Sequence, residues 1–109
     1  MPLRRSDRYI GVVKASTGRE HDVIFVAASD RPLSAIQARA FAIYNNALLP
    51  SKAEAALLVA MSELYMDRWY WASVGNDTMF CLTDTGLFFK QAGILDTARV
   101  IAIRREFKQ

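Results

Sequence analysis

The sequence has little of several residue types on which small proteins often depend. Its 109 residues include one cysteine, Cys81, so no intramolecular disulfide can form and a secreted disulfide scaffold is not implied. With His21 as the single histidine, zinc sites built from several histidines or cysteines are excluded. The longest apolar runs are far too short to cross a membrane, and no apolar signal segment follows the basic N-terminus. We expect a cytoplasmic protein that does not act at a membrane.

Composition favours one small globular domain over residues 1–109. Hydrophobic residues make up 52% and charged residues 23%, the balance of a chain that folds around one core. The net charge is +3, and much of the excess lies near the ends. Such ends suit contact with phosphate, an anionic membrane surface or an acidic protein, although solvated surface charge explains them as well. The basic residues concerned are Arg4, Arg5, Arg8, Arg104, Arg105 and Lys108.

The first half of the chain predicts two strands followed by two helices. Residues 9–15 and 22–28 are rich in Val, Ile and aromatics and flank a turn near Gly18, which predicts a hairpin. Spacings of three and four then predict a helix over residues 34–44. Ser51 and Glu54 form a capping box, so a second helix begins at Lys52. The predicted apolar stripes are Leu33, Ile36, Ala40, Ile43 and Tyr44 for the first helix, and Ala53, Ala56, Leu57, Ala60, Met61 and Leu64 for the second.

Four further strands are predicted in the second half, over residues 68–73, 78–82, 87–90 and 99–106. The longer connection at 91–97 lets the last strand pair elsewhere than with its predecessor. The order is therefore ββααββββ, an α+β class in which two helices pack on one twisted, mainly antiparallel sheet.

Three pieces of the second half of the chain, with the glycine of the last hairpin, carry a resemblance to a known family. The residues concerned are Leu49, Pro50, Ser51, Glu54, Leu57, Leu58, 70–73, Gly86, 98–100, Arg104 and Arg105. Through them the chain resembles small phage and prophage proteins of the uncharacterised DUF1566 kind, which are themselves similar to C-type-lectin-like and formylglycine-generating-enzyme-like domains. The resemblance covers about residues 34–105 and implies two helices flanking a twisted β-core with its terminal strands close together. It implies no reaction, and this chain lacks the calcium-ligand pattern of sugar-binding lectins and the paired cysteines of the enzyme.

Three short patterns have catalytic or metal-binding interpretations. Residues 84–86 read Asp-Thr-Gly, as in one half of an aspartic protease, but a plain hairpin turn is the expectation. Asp77, Asp84 and Asp96 would hold a hard cation only if their loops met, and turn capping is the simpler interpretation. A dyad of Cys81 with His21 is arithmetically possible, although a buried structural thiol is more usual. We therefore predict no catalytic residues, no metal and no cofactor.

The aromatic segment and the last strand carry the functional prediction. Trp69 and Trp71 point to one face of a strand and Tyr70 to the other, and an exposed face would provide large anchors for a protein interface. Burial in the core is the alternative. Arg104 and Arg105 end the last strand, where they either meet a partner's carboxylates or are solvated.

We predict a non-enzymatic protein that docks onto another protein. The resemblance to phage proteins suggests an inhibitor or modulator of a bacterial host complex, for example an anti-defence protein of the anti-CRISPR type. The predicted contacts are Tyr65, Trp69, Trp71, Arg104 and Arg105.

Two alternatives remain open, together with a homodimer. The first is direct nucleic-acid binding, with phosphate contacts from basic residues and stacking on the aromatics. The second is a small-ligand or carbohydrate-binding module. The basic residues of the first alternative are Arg4, Arg5, Arg8 and Lys108.

Overall fold

The computed structural model of the chain describes residues 7–14, 18–73 and 77–107. Within these ranges lie two helices and six strands, in the predicted order and of the predicted α+β class. The elements are β1 (Arg8–Lys14), β2 (Glu20–Ala28), α1 (Ala35–Tyr44), α2 (Lys52–Ala60), β3 (Trp69–Ala72), β4 (Thr78–Thr83), β5 (Gly86–Gln91) and β6 (Ile101–Phe107).

The strands form two sheets where the sequence predicts one. β1, β2 and β6 make one antiparallel sheet in that order, and β3, β4 and β5 make the other. The separation arises because β6 pairs with β2, from His21 opposite Phe107 to Ala28 opposite Ile101. As expected, the long connection before β6 lets it pair away from β5. Just before β6, Arg99 makes a parallel bridge to Tyr70, which joins the two sheets.

Both helices begin at capping boxes. Ser34 Oγ accepts from the amide of Gln37 at 3.2 Å, and the Gln37 side chain accepts from the amide of Ser34 at 3.0 Å. Ser51 and Glu54 repeat the arrangement at the start of α2, as the sequence predicts. Each box satisfies amides that the first helical turn leaves without partners.

The predicted apolar stripes coincide only in part with the buried faces of the two helices. α1 buries Ala38 and Ala42, whereas Ile36 and Ile43 lie on the solvent side. α2 buries Glu54, Ala55 and Leu58. Of its predicted stripe, Leu57 and Leu64 are partly buried against the first core cluster, whereas the alanines and Met61 are exposed. Small residues dominate the inward face of α1 because alanine allows a helix to lie close to its neighbours.

Two clusters of buried side chains form the core, and each draws residues from both sheets. The first packs α2 against β1, β2, β3, β4 and β6, with Leu58 and Phe80 fully buried. The second surrounds Trp71 and includes Ala38 of α1. The last strand contributes to both clusters, with Ile101 and Ile103 in the first and Ala102 in the second. The two sheets therefore pack as one unit.

The predicted turn at residues 84–86 is a hairpin turn between β4 and β5. Thr83 lies opposite Gly86, and the hydroxyl of Thr83 donates to the carbonyl of Gly86 at 3.2 Å. Gly86 has φ of +135°, a conformation that residues with side chains rarely adopt. Residues 15–17, where the sequence predicts part of the turn of the first hairpin, and residues 74–76 lie outside the described residues.

Candidate functional site

The outer face of α1 carries an apolar stripe that nothing in the described chain covers. We call Ile36, Ala40, Ile43 and Tyr44 the α1 stripe; they recur at helical spacing along one side. Ile36 is 77% exposed, Ile43 74% and Tyr44 88%. The opposite side of α1 is buried against the core, so the helix is apolar on two sides. A helix of that kind is expected where a second surface is covered by a partner.

A hollow of about 360 Å³ lies beside the α1 stripe. Ile43 belongs to both features, and Leu48, which is 47% exposed, forms part of the same wall. The indole of Trp71 lies at the hollow but is only 2% exposed. At the rim, Arg39 forms an ion pair with Asp77. The hollow is thus a mainly apolar depression with a charged pair at its edge.

The predicted aromatic anchors have different surroundings. Trp71 is part of the core, where its Nε1 donates to the carbonyl of Leu33 at 2.8 Å. Trp69 is half-buried, and the ammonium of Lys90 lies 4.6 Å from the centre of its ring. Tyr70 is 3% exposed, so β3 is covered on both faces, and the exposed face needed for an aromatic platform is not there. Tyr65 is 66% exposed and remains a predicted contact.

Arg105, another predicted partner contact, is committed to an internal ion pair with Glu54. Its Nε donates to Glu54 Oε2 and its Nη2 to Oε1, both at 2.6 Å. Such a bidentate pair is the strongest arrangement that arginine makes with a carboxylate. The side chain of Glu54 is 0% exposed and that of Arg105 21%. The ion pair connects the start of α2 to β6, so the role of Arg105 is structural.

Two further donors complete the coordination of the Glu54 carboxylate. The amide of Ser51 donates to Oε1 at 2.8 Å, and His21 Nε2 lies 2.7 Å from Oε2. Because a carboxylate oxygen can only accept, Nε2 of His21 is the donor in this contact. Burial pushes the pKa of Glu54 upward, but the hydrogen bonds and charge of Arg105, together with hydrogen bonds from the Ser51 amide and from His21, outweigh it and hold the pKa below the ordinary value. Glu54 is therefore a charged group inside the fold.

Arg104 also has an internal role. Its Nη1 donates to Asp7 Oδ2 at 2.8 Å, and its side chain is 15% exposed. On β6, therefore, neighbouring arginines pair on opposite faces with carboxylates from distant parts of the chain, and neither is a solvated strand end. We do not retain Arg104 or Arg105 in a docking surface.

Of the basic residues in the nucleic-acid alternative, Arg8 alone is described. It forms an ion pair with Glu63, and its guanidinium lies 4.5 Å from the centre of the Phe25 ring. Arg4, Arg5 and Lys108 lie outside the described residues.

The described residues of the two remaining patterns, the dyad of Cys81 with His21 and the group of aspartates, do not come together in a common site. Cys81 is buried in β4, in the other sheet from His21, and burial, with the nearby charge of Asp67, raises the pKa of its thiol. Asp77 pairs with Arg39, and Asp96 accepts from the amide of Gly93 at 2.7 Å. Over the described ranges, no three or more His, Cys, Asp or Glu side chains are grouped so that they could hold a metal.

Sequence reasoning missed both the exposure of the α1 stripe and the buried role of Glu54. The apolar spacing of the α1 stripe is visible in the sequence, but whether the stripe faces the core or the solvent depends on the fold. For Glu54, the sequence contains one indication, the capping box that holds its carboxylate at the start of α2. The sequence does not show that Arg105 reaches this carboxylate from β6.

No family model, curated protein or solved structure matches the chain significantly. In the described part of the chain, neither helix has the length and apolar character to cross a membrane.

Proposed function

We propose that this protein is a non-enzymatic binding protein that docks onto another protein through the α1 stripe. The observation that carries the proposal is the exposure of Ile36 at 77%, Ile43 at 74% and Tyr44 at 88% on one side of one helix. Large apolar side chains scattered singly on a surface are ordinary, but a row on a helix is the pattern of a helix that packs against a partner.

The hollow beside the stripe supplies a place for an anchor. Interfaces gain most of their affinity from a few large side chains that enter pockets near the centre of the contact. Leu48 and Ile43 form apolar walls there, while the pair of Arg39 and Asp77 lies at the rim. We propose that an apolar side chain of the partner enters this hollow and that the α1 stripe covers the surface around it.

Charge favours a partner whose surface is acidic around an apolar centre. The chain has a net charge of +3, and α1 has no acidic residue; its one charged residue, Arg39, is paired with Asp77. A positive chain meets a negative surface faster and discriminates against positive ones.

The resemblance to phage and prophage proteins makes a bacterial host complex the proposed target. In this version the protein occupies a surface that the host complex needs and so inhibits or modulates it, as an anti-defence or anti-CRISPR protein would. The encounter takes place in the cytoplasm. A C-type-lectin-like arrangement of the two helices and the sheets belongs to the same proposal, and such folds present binding surfaces on a compact scaffold.

The test is a comparison of variants for one identified partner. A pull-down from nuclease-treated bacterial lysate supplies candidates, and each is then purified and its affinity for the chain measured. The combined variant Ile36→Ser, Ile43→Ser, Tyr44→Ser is expected to lose at least a hundredfold in affinity. The matched control is Ile94→Ser, Leu95→Ser, which removes apolar side chains that are 100% and 94% exposed outside α1 and is expected to bind as wild type does.

Three results would overturn the proposal. The first is a purified partner that binds wild type and the α1 variant equally. The second is a partner-free dimer, seen by sedimentation and lost in the α1 variant, because the stripe would then serve self-association. The third is recovery of nucleic acid alone, lost as salt rises, which would favour the nucleic-acid alternative.

A further inference from the structure

A second concave feature lies away from α1, where the two sheets meet. It is a groove of about 420 Å³ formed by the start of β1, the end of β2, the segment after α2 and the segment that leads into β6. Its volume falls in the range of small-molecule sites, roughly 300–1,000 Å³. The groove shares no lining residue with the hollow beside α1, so it is independent of the proposed docking surface.

Two of the three arginines at this groove have no carboxylate partner among the described residues. Arg8 is neutralised by Glu63. Arg99 donates from Nη1 to the carbonyl of Asp30 at 2.9 Å, which positions the guanidinium without cancelling its charge. Arg68 lies with its guanidinium 4.6 Å from the centre of the Tyr65 ring. Arg68 and Arg99 therefore bring positive charge to one groove while each is held by a neutral group.

A pair of guanidinium groups of this kind suits phosphate. Arginine presents a planar set of donors that matches phosphate oxygens, and charge-assisted hydrogen bonds are about twice as strong as neutral ones. Because their positions are already restrained, Arg68 and Arg99 lose less freedom when a ligand binds.

The rest of the groove is suited to an organic ring. Phe25, Leu64 and Ile101 contribute apolar surface to its walls. Tyr65 keeps 66% of its surface exposed with Arg68 against its ring. Exposed aromatic rings and arginine planes are the surfaces on which nucleic-acid bases stack. Charge for a phosphate and surface for a flat ring thus occur in the same groove.

We infer that the groove binds a nucleoside phosphate, with the phosphate at Arg68 and Arg99 and the base against Tyr65. This chemistry is shared by a free mononucleotide and by the phosphorylated end of a single strand. The site needs neither the basic termini nor the α1 stripe.

Calorimetric titration with each of the four nucleoside 5′-monophosphates and with the matching nucleosides tests the inference. At least one monophosphate is expected to bind at least tenfold more tightly than its nucleoside, because the nucleoside lacks the charged group. Arg68→Gln is expected to weaken that binding at least tenfold. Arg68 is exposed, so its removal leaves the core intact. Lys14→Gln, which removes the same charge from an exposed position on β1 outside the groove, should have no such effect.

A further titration distinguishes a free nucleotide from a single strand as the natural ligand, and four results would count against the inference. An octanucleotide with a 5′-phosphate that binds more than tenfold more tightly than the mononucleotide identifies a single strand as the natural ligand; equal affinity identifies the free nucleotide. No binding by any monophosphate up to millimolar concentration, equal affinity for nucleoside and nucleotide, or full binding by Arg68→Gln would overturn the inference. Inorganic phosphate that binds as tightly as the nucleotide would overturn the role of Tyr65.

Discussion

At the scale of single residues, the Glu54 carboxylate connects three separate segments of the chain. It accepts hydrogen bonds from Arg105 on β6, from His21 on β2 and from the amide of Ser51. A fully buried carboxylate destabilises the folded state unless each of its oxygens accepts hydrogen bonds. Here each oxygen accepts from two donors. Its position therefore determines how α2 sits on the first sheet.

Glu54→Gln is expected to lower the free energy of unfolding by about 3 kcal/mol, because it leaves the Arg105 charge partly buried without its counter-ion. Urea denaturation at neutral pH measures the loss. The control is Glu20→Gln, the same substitution at an exposed position on β2, which should change stability by less than about 0.5 kcal/mol. Equal effects of the two substitutions would mean that the buried pair contributes nothing to stability.

At the scale of elements, α1 offers two apolar sides to its surroundings and buries the one made of small residues. Ala38 is 0% exposed, while the larger Ile43 on the other side is 74% exposed. Hydrophobicity alone would favour burial of the isoleucines, but α1 instead packs Ala38 into the second core cluster, with Ala35 and Phe41 partly buried against it. The larger residues are then left for another surface.

This orientation predicts opposite outcomes for one substitution at two neighbouring alanines. Ala38→Leu adds volume in a filled core and is expected to destabilise the protein by about 1–3 kcal/mol. Ala40→Leu, on the exposed α1 stripe, is expected to change stability by less than about 0.5 kcal/mol. Thermal or urea unfolding of both variants is the measurement. If Ala40→Leu were the damaging one, the helix would face the other way.

The sequence predicted elements better than it predicted their directions. The apolar spacing of α1, the capping box at Ser51 and the turn before Gly86 are local signals, so the helices and the last hairpin lie where expected. The direction of α1 could not be predicted because both of its sides are apolar. The sequence does not predict the buried side of α2, because that side includes the charged residue Glu54, which is buried with Arg105 and His21 as its partners.

At the scale of the whole molecule, what could not be predicted comes from contacts between distant parts of the chain. β6 pairs with β2 near the other end of the sequence, which separates the strands into two sheets. Arg68 and Arg99 reach one groove only because Tyr70 and Arg99 bridge the sheets. No sequence motif links the two arginines, so the groove could be identified only from the fold.

The response of the whole molecule to acid follows from Glu54. Its pKa is lower in the folded chain than the ordinary value, so the folded state binds fewer protons than the unfolded state in the interval between the two values. The stabilisation is fully present above the ordinary pKa, about 4.3 for glutamate. As pH falls below that point, stability is lost until the pH passes the folded pKa. In this interval one such group contributes a slope of up to about 1.4 kcal/mol per pH unit.

Urea unfolding of wild type and Glu54→Gln between pH 7 and pH 3 measures this contribution as a difference. Above about pH 5 the gap in stability between the two proteins should be constant, because Glu54 is ionised in both the folded and the unfolded wild type. Below about pH 4.3 the gap should narrow, since wild type loses a stabilisation that the variant never had. Glu20→Gln should follow wild type throughout. A gap that stays constant down to pH 3 would mean that Glu54 has an ordinary pKa in the fold, so that the ion pair with Arg105 and the hydrogen bonds from Ser51 and His21 would not favour its charged form.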